Sequence, residues 1–260
     1  MSEIRVDGKV VLVTGGTQGV GEAIAREAAA SGAKGLCITG RDAARGNKVA
    51  KDLEAKGCST LFVAADLADA NACRTVAAKA WERFGVVDGL VNAAGLTDRG
   101  TIENTSVELW DKLFDVNARA PFILMQEMVR RLQAAKRPGS IVNIITRSSH
   151  GGQPFLTAYS SSKGALAILT KNVAHAVRNH RIRVNGLNIG WTETPGEHAI
   201  QKRDGKPGDW LERAEPSQPF GRLIKTHDVA VASVYLLSDA SEMMTGALID
   251  FDQNVMGAYD

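Results

Sequence analysis

Disulfide chemistry is the first thing this sequence lacks. Its three cysteines, Cys37, Cys58 and Cys73, are odd in number and show no ligand-type spacing. Neither a disulfide framework nor a zinc site is expected, and no other metal is implied. Runs of lysine and arginine are also missing from a chain whose net charge is only +2, so nucleic acid and anionic membrane surfaces are not expected partners. No segment reaches the roughly 18 consecutive apolar residues that a bilayer span needs. An apolar strand pattern begins within about ten residues of Met1, which leaves no room for a signal peptide, and a reducing cytoplasm is the expected location. Internal repeats and low-complexity tracts are absent too.

What is present is an ordinary globular composition, 44% hydrophobic and 23% charged over 260 residues, in which apolar runs alternate with helical patterns. Strands are expected over 10–13, 36–39, 61–64, 86–91, 140–145, 182–189 and 247–251. Helices are expected over 21–30, 42–56, 71–84, 158–178 and 227–237, with two more inside 107–135. Pro121 falls near the start of the second of these two, where proline is tolerated. Alternation of this kind implies right-handed crossovers and an α/β fold: a Rossmann-like, doubly wound parallel sheet of about seven strands with helices on both faces. One domain spanning 1–260 suffices. The polar stretch 192–221, with Pro195, Pro207, Pro216 and Pro219, breaks the rhythm. It reads as an irregular substrate lid, because it follows a strand end that faces the expected ligand crevice, or else as a surface insertion.

Two motifs carry chemistry. The first strand runs into Thr14-Gly15-Gly16-Thr17-Gln18-Gly19-Val20-Gly21. Glycines there let the backbone turn sharply and approach a pyrophosphate, and the following helix offers amide donors and a positive dipole. Far downstream lies Tyr159-Ser160-Ser161-Ser162-Lys163. Tyrosine and lysine four residues apart share a helix face. There the ammonium is expected to lower the phenol's pKa, giving a proton donor and acceptor.

Thr-Gly-x-x-x-Gly-x-Gly together with Tyr-x-x-x-Lys resembles the short-chain dehydrogenase/reductase family in its compact single-domain form. Asn92-Ala93-Ala94-Gly95, Ala65-Asp66-Leu67 and Asp115-Val116-Asn117 resemble further elements of that family, in the right order. The resemblance implies hydride exchange between a nicotinamide dinucleotide and a secondary alcohol or ketone. Tyr159 would handle the proton, Lys163 would lower its pKa and bind the nicotinamide ribose, and Asn117 would help hold a water relay. The family's serine lies thirteen residues before the tyrosine, which here is Thr146, with Ser148 in reserve. Cofactor contacts are implied for Gly15, Thr17, Gln18, Gly19, Val20, Gly21, Arg41, Asp66, Leu67, Asn92, Ala93, Gly95, Tyr159, Lys163, Gly190 and Thr194.

Departures from the family pattern set further expectations. Gly40 ends the second strand where NAD users carry an acid, and Arg41 follows it. Arg41 could pair with a 2′-phosphate, stack on adenine or be solvated. Gln18 stands where many NADP users have a second basic residue, and Asp42 adds a nearby negative charge. NADP is favoured and NAD is the alternative. Ile189-Gly190 replaces Pro-Gly, and Asp252-Gln253-Asn254 replaces Asp-Gly-Gly, so the tail 255–260 is expected to take its own path toward a neighbouring subunit's site. His150, Gln153 and Trp191 are candidate substrate contacts, His150 being equally readable as a structural histidine. With Ser149, Glu193 and His198 they make the site polar, favouring a sugar, polyol or other small hydroxy compound. The alternatives are a β-ketoacyl thioester reductase and a catalytically silent dinucleotide sensor. Family resemblance implies a homotetramer or dimer.

Overall fold

The computed structural model of the protein describes residues 4–255. Seven apolar strands form one sheet: β1 (Val10–Thr14), β2 (Gly35–Gly40), β3 (Ser59–Ala64), β4 (Gly89–Asn92), β5 (Gly139–Ile144), β6 (Ile182–Ile189) and β7 (Leu248–Phe251). All pairings are parallel and the order is β3-β2-β1-β4-β5-β6-β7. The doubly wound sheet expected from the alternation is therefore present.

Helices bury both faces, so the strands read as continuous apolar runs. Val10, Leu12, Leu90 and Ile141 point to one face, against α3 (Ala70–Phe84), α5 (Ala120–Ala134) and α6 (Thr157–Val177). Val11, Val13, Val91 and Val142 point to the other, against α1 (Gly19–Ala30), α2 (Ala43–Glu54) and α9 (Thr226–Leu237). Side-chain caps mark where helices start: Asp42 accepts from Arg45 N ahead of α2, Asp69 from Asn71 N ahead of α3, and Ser106 from Leu109 N ahead of α4 (Val107–Phe114).

Three segments differ from expectation. The strand expected from residue 86 starts only at Gly89, because Asp88 is used as a clamp: its carboxylate accepts Val10 N at 2.9 Å and its own amide donates to Val10 O at 2.8 Å. The two helices expected within 107–135 run on through a wide π turn, Asp115–Arg119. The stretch 192–221 is not irregular. It contains α7 (Pro195–Arg203), the short α8 (Trp210–Ala214) and a 3-10 turn, Glu215–Ser217, with Pro195 starting α7 and Pro216 in that turn, where a missing N–H costs nothing. No helix of the described residues is long and apolar enough to cross a membrane.

Candidate active site

The strand order reverses direction between β1 and β4, and a cleft of about 1140 Å³ opens at the carboxyl ends of the strands there. Its floor is the glycine-rich turn. Gly15 has φ +64°, and a Cβ on it would lie 2.9 Å from Ala94 Cα. A Cβ on Gly21 would lie 2.3 Å from Gly15 O. Side chains there would collide with the backbone of the loop after β4 and of the turn itself, so only glycines allow this tight turn, and the first residues of α1 line the cleft beside it. Thr14 Oγ1 accepts the amides of Ala93 and Ala94, both at 3.0 Å, and so ties the ends of β1 and β4 together. This cradle fits a dinucleotide. Thr17, Gln18, Gly19, Val20, Arg41, Asp66, Leu67, Ala93, Gly95, Gly190 and Thr194 also line the cleft. Asp66 spends one oxygen on Ala68 N at 3.0 Å, which shapes the loop after β3.

The end of β2 is shaped by the smallness of Gly40: a Cβ there would lie 2.6 Å from Thr17 Oγ1. Beside it lies a second cation that the linear pattern did not reveal. Arg45, on the first turn of α2, lines the cleft with Arg41 and hydrogen-bonds Gln18 Oε1 and Asp42 Oδ2. Its signal was its position three residues after the cap Asp42, which puts it back over the strand end.

Tyr159, Lys163 and Thr146, expected to serve the proton transfer, line the same cleft. Lys163 is buried and donates to Ile144 O at 2.8 Å. Burial lowers its pKa to about 8. Tyr159 is half-buried. Burial pushes its phenol up to about 12, a hydrogen bond from Thr146 pulls it down, and the Glu197 charge raises it. The expectation that Lys163 lowers the phenol is thus not met in the chain alone. The ammonium is directed at the β5 carbonyl, and desolvation of the ring dominates. Thr146 is buried and also caps the short turn Arg147–His150 by accepting Ser148 N at 3.2 Å. Ser148 lines the cleft but makes no contribution to the phenol.

Asn117 sits on the π turn, fully buried. Its amide holds both backbone groups of Leu96, accepting Leu96 N and donating to Leu96 O at 2.9 Å each, and donates to Ser162 Oγ at 3.0 Å. Its side chain therefore lies behind the cleft wall. Gly95 lies between it and the lysine: a Cβ there would be 3.4 Å from both Asn117 Oδ1 and Lys163 Nζ.

Two expected contacts lie elsewhere. Asn92 turns its side chain into the core, where it donates to Asn143 Oδ1 at 2.8 Å, because β4 is covered at that register. His150 is outside the cleft lining and is held at 2.9 Å by Asp250 Oδ1, with Asn188 donating to the same carboxylate oxygen. Gln153 and Trp191 do line the cleft. Of the tail expected to reach a neighbour, residues 256–260 lie outside the described residues.

Residues 9–205 match the model of the short chain dehydrogenase family. The chain belongs to that family. An NADP-dependent (R)-specific alcohol dehydrogenase of Lentilactobacillus kefiri is 35% identical over 94% of this chain and 94% of its own. An L-xylulose reductase of Bos taurus is 34% identical over 96% of this chain and 97% of its own. Among solved structures, a Beutenbergia cavernae protein provisionally assigned as an NAD(P)-dependent gluconate 5-dehydrogenase, with NADP bound at low occupancy, superposes with a TM-score of 0.85. It is 30% identical, covering 96% of this chain and 97% of its own. The short-chain dehydrogenase assignment accounts for the glycine turn and the Tyr159–Lys163 pair lining one cleft.

Proposed function

We propose that this protein is an NADP-linked oxidoreductase interconverting a small polar secondary alcohol and its ketone. The observation that carries the reading is the convergence of Tyr159, hydrogen-bonded by Thr146, with buried Lys163 on a cleft floored by a glycine cradle. A bound nicotinamide dinucleotide supplies the two-electron exchange. Tyr159 gives a proton to the carbonyl oxygen in reduction and takes one from the hydroxyl in oxidation. The Thr146 hydroxyl, which points its one proton at the phenol in the chain alone, would turn to donate to the same oxygen when substrate is bound. Lys163 would hydrogen-bond the nicotinamide ribose, and Asn117 is a positioning residue that fixes the Leu96 loop. In the chain alone the phenol is protonated at neutral pH, which sets it as donor for reduction; oxidation is expected to accelerate as pH rises.

The preference for NADP is supported by Arg41 and Arg45 at the end of β2, and by Gly40, where an acid's Cβ would meet Thr17. The NADP-dependent relative and the NADP-bound neighbour agree with it. Residues 192–221 act as the lid: Thr194, Gly196, Ile200 and Gln201 face the cleft. Exposed Trp110, Phe122 and Ile168 on α4, α5 and α6 offer an apolar face for a homotetramer or dimer.

The test is absorbance at 340 nm with polyols, sugars and their ketones, using wild type and Tyr159→Phe. Turnover that falls by about 10³ in the variant, with NADPH binding retained, supports the reading. Wild-type turnover that survives the substitution would overturn it.

A further inference from the structure

The first turn of α7 carries a carboxylate onto the substrate side of the cleft. Thr194 Oγ1 accepts the Glu197 amide at 3.0 Å and so fixes this turn. Glu197 lines the cleft, with its side chain 16% exposed. Its Oε1 accepts Trp191 Nε1 at 2.9 Å and Gln201 Nε2 at 2.6 Å. Arg99 stands 3.7 Å from that oxygen and is held more closely by Asp204, at 2.7 Å. The second oxygen, Oε2, receives no hydrogen bond from the described residues. Glu197 is near enough to Tyr159 for its charge to be felt at the phenol. Gln153 lines the same cleft, and its Oε1 is buried without a donor. A buried acceptor left unpaired costs about 1–3 kcal/mol.

We infer that Glu197, with Gln153, is a specificity determinant selecting a neutral substrate with at least one hydroxyl beyond the reacting one, a polyol or sugar rather than a hydroxy acid or a simple alcohol. The inference rests on the oxidoreductase reading of this cleft. Two acceptors require donors. An extra hydroxyl supplies them, an alkyl group leaves both unpaired, and a carboxylate brings like charge against Glu197. The cations around the cleft do not reverse this balance. Lys163 is engaged by Ile144 O at 2.8 Å, Arg99 by Asp204 and Arg147 by Asp252 at 2.6 Å, Arg41 and Arg45 lie by the end of β2, and Lys112 and Lys206 are exposed at the rim.

The experiment compares butane-2,3-diol, butan-2-ol and 3-hydroxybutanoate as substrates with NADP. Each is also tested as a stabiliser of the NADP-loaded protein by thermal shift. Wild type, Glu197→Gln and Gln153→Leu are run in parallel. Wild type is expected to prefer the diol over the mono-alcohol in kcat/KM by about tenfold or more, the worth of one charge-assisted hydrogen bond. Glu197→Gln is expected to cut that ratio by at least about fivefold and to raise the hydroxy acid relative to the diol. Gln153→Leu is expected to cut the ratio without favouring the acid. A smaller change in both variants, or a wild type that favours butan-2-ol or the acid, overturns the inference. If no compound is turned over, the thermal shifts decide. A diol shift lost in Glu197→Gln upholds the inference while the oxidoreductase reading fails; an equal shift in both proteins, or none in wild type, overturns it.

Discussion

At the end of β1 the cleft is built from backbone brought into close approach, whereas beyond β6 its wall is built from side chains that reach across the fold. On the first side, Gly15 and Gly21 leave no room for a Cβ against Ala94 and Gly15 O. Thr14 then fastens two loops with one hydroxyl. On the second side, α7 is tethered by ion pairs to the loop after β4, Arg203 to Asp98 and Asp204 at its end to Arg99, while Trp191 before it stacks on Trp210 after it. Steric exclusion between backbones is steep and admits little adjustment. Half-exposed ion pairs are shallow, screened and easily rearranged. One wall is therefore expected to act as a rigid template and the other to open more readily.

The largest effect is expected where the template is tightest. Gly21→Ala puts a methyl group 2.3 Å from Gly15 O, and the unfolding free energy should fall by about 3 kcal/mol, the upper range for overpacking. Urea denaturation measures this. A variant as stable as wild type would show that the turn opens readily and would erase the contrast between the walls.

Lys163 gives the next effect, with a sign that depends on pH. Its native pKa of about 8 lies below the ordinary 10.5 because the ammonium is buried. Between these values the unfolded chain binds more protons, so wild-type stability rises with pH through that window. Below it, the buried charge costs about 3 kcal/mol. Lys163→Met removes that cost and also the bond to Ile144 O, worth about 1 kcal/mol. The variant should be more stable than wild type by about 2 kcal/mol at pH 7 and about equal to it at pH 10, while losing turnover. Tyr159 acts in the opposite sense only above pH 10, where its unfolded form ionises first. Paired urea titrations at pH 7 and pH 10 check the prediction; a gap that does not narrow would rule out the buried charge as its cause.

Arg45 tests the edge of the template. Arg45→Ala leaves the α2 cap in place, since Asp42 accepts the backbone amide. It should lower the NADP-to-NAD ratio of kcat/KM by about tenfold, the worth of one charge-assisted hydrogen bond. An unchanged ratio would leave Arg41 as the phosphate contact.

The two walls also differ in how far they could be read beforehand. The strands, the crossover helices and the glycine turn follow from local patterns: apolar runs, helical periodicity, and glycines where a sharp turn or close approach demands them. Tyr159 and Lys163 follow from spacing along one helix, and Thr146 from the family resemblance, which sets its distance from the tyrosine. The register of Asn92 toward Asn143 was not legible, because it depends on which neighbour covers β4. Nor was the pairing of His150 with Asp250, which lies 100 residues away. Glu197 and the helical structure of α7 were hidden for the same reason. A proline-rich polar stretch looks irregular until the tertiary partners of its side chains are known.

The smallest effect belongs to the tethers themselves. The Arg99 side chain is 31% exposed and its partner Asp204 26%, so solvent screens the pair. Arg99→Gln should change global stability by less than about 1 kcal/mol. Its consequence is local. With Arg99 and Arg203 both replaced by glutamine, α7 loses its ties to the loop after β4, and local opening becomes easier while the sheet is untouched. Chymotryptic cleavage at Trp191, Trp210 or Phe220 should then outpace cleavage in wild type, and raising the salt concentration should bring wild type toward the double variant. Cleavage that is as slow in the double variant as in wild type would mean that the Trp191–Trp210 stack and the Glu197 hydrogen bonds hold α7 in place without the ion pairs. The second wall would then be nearly as rigid as the first.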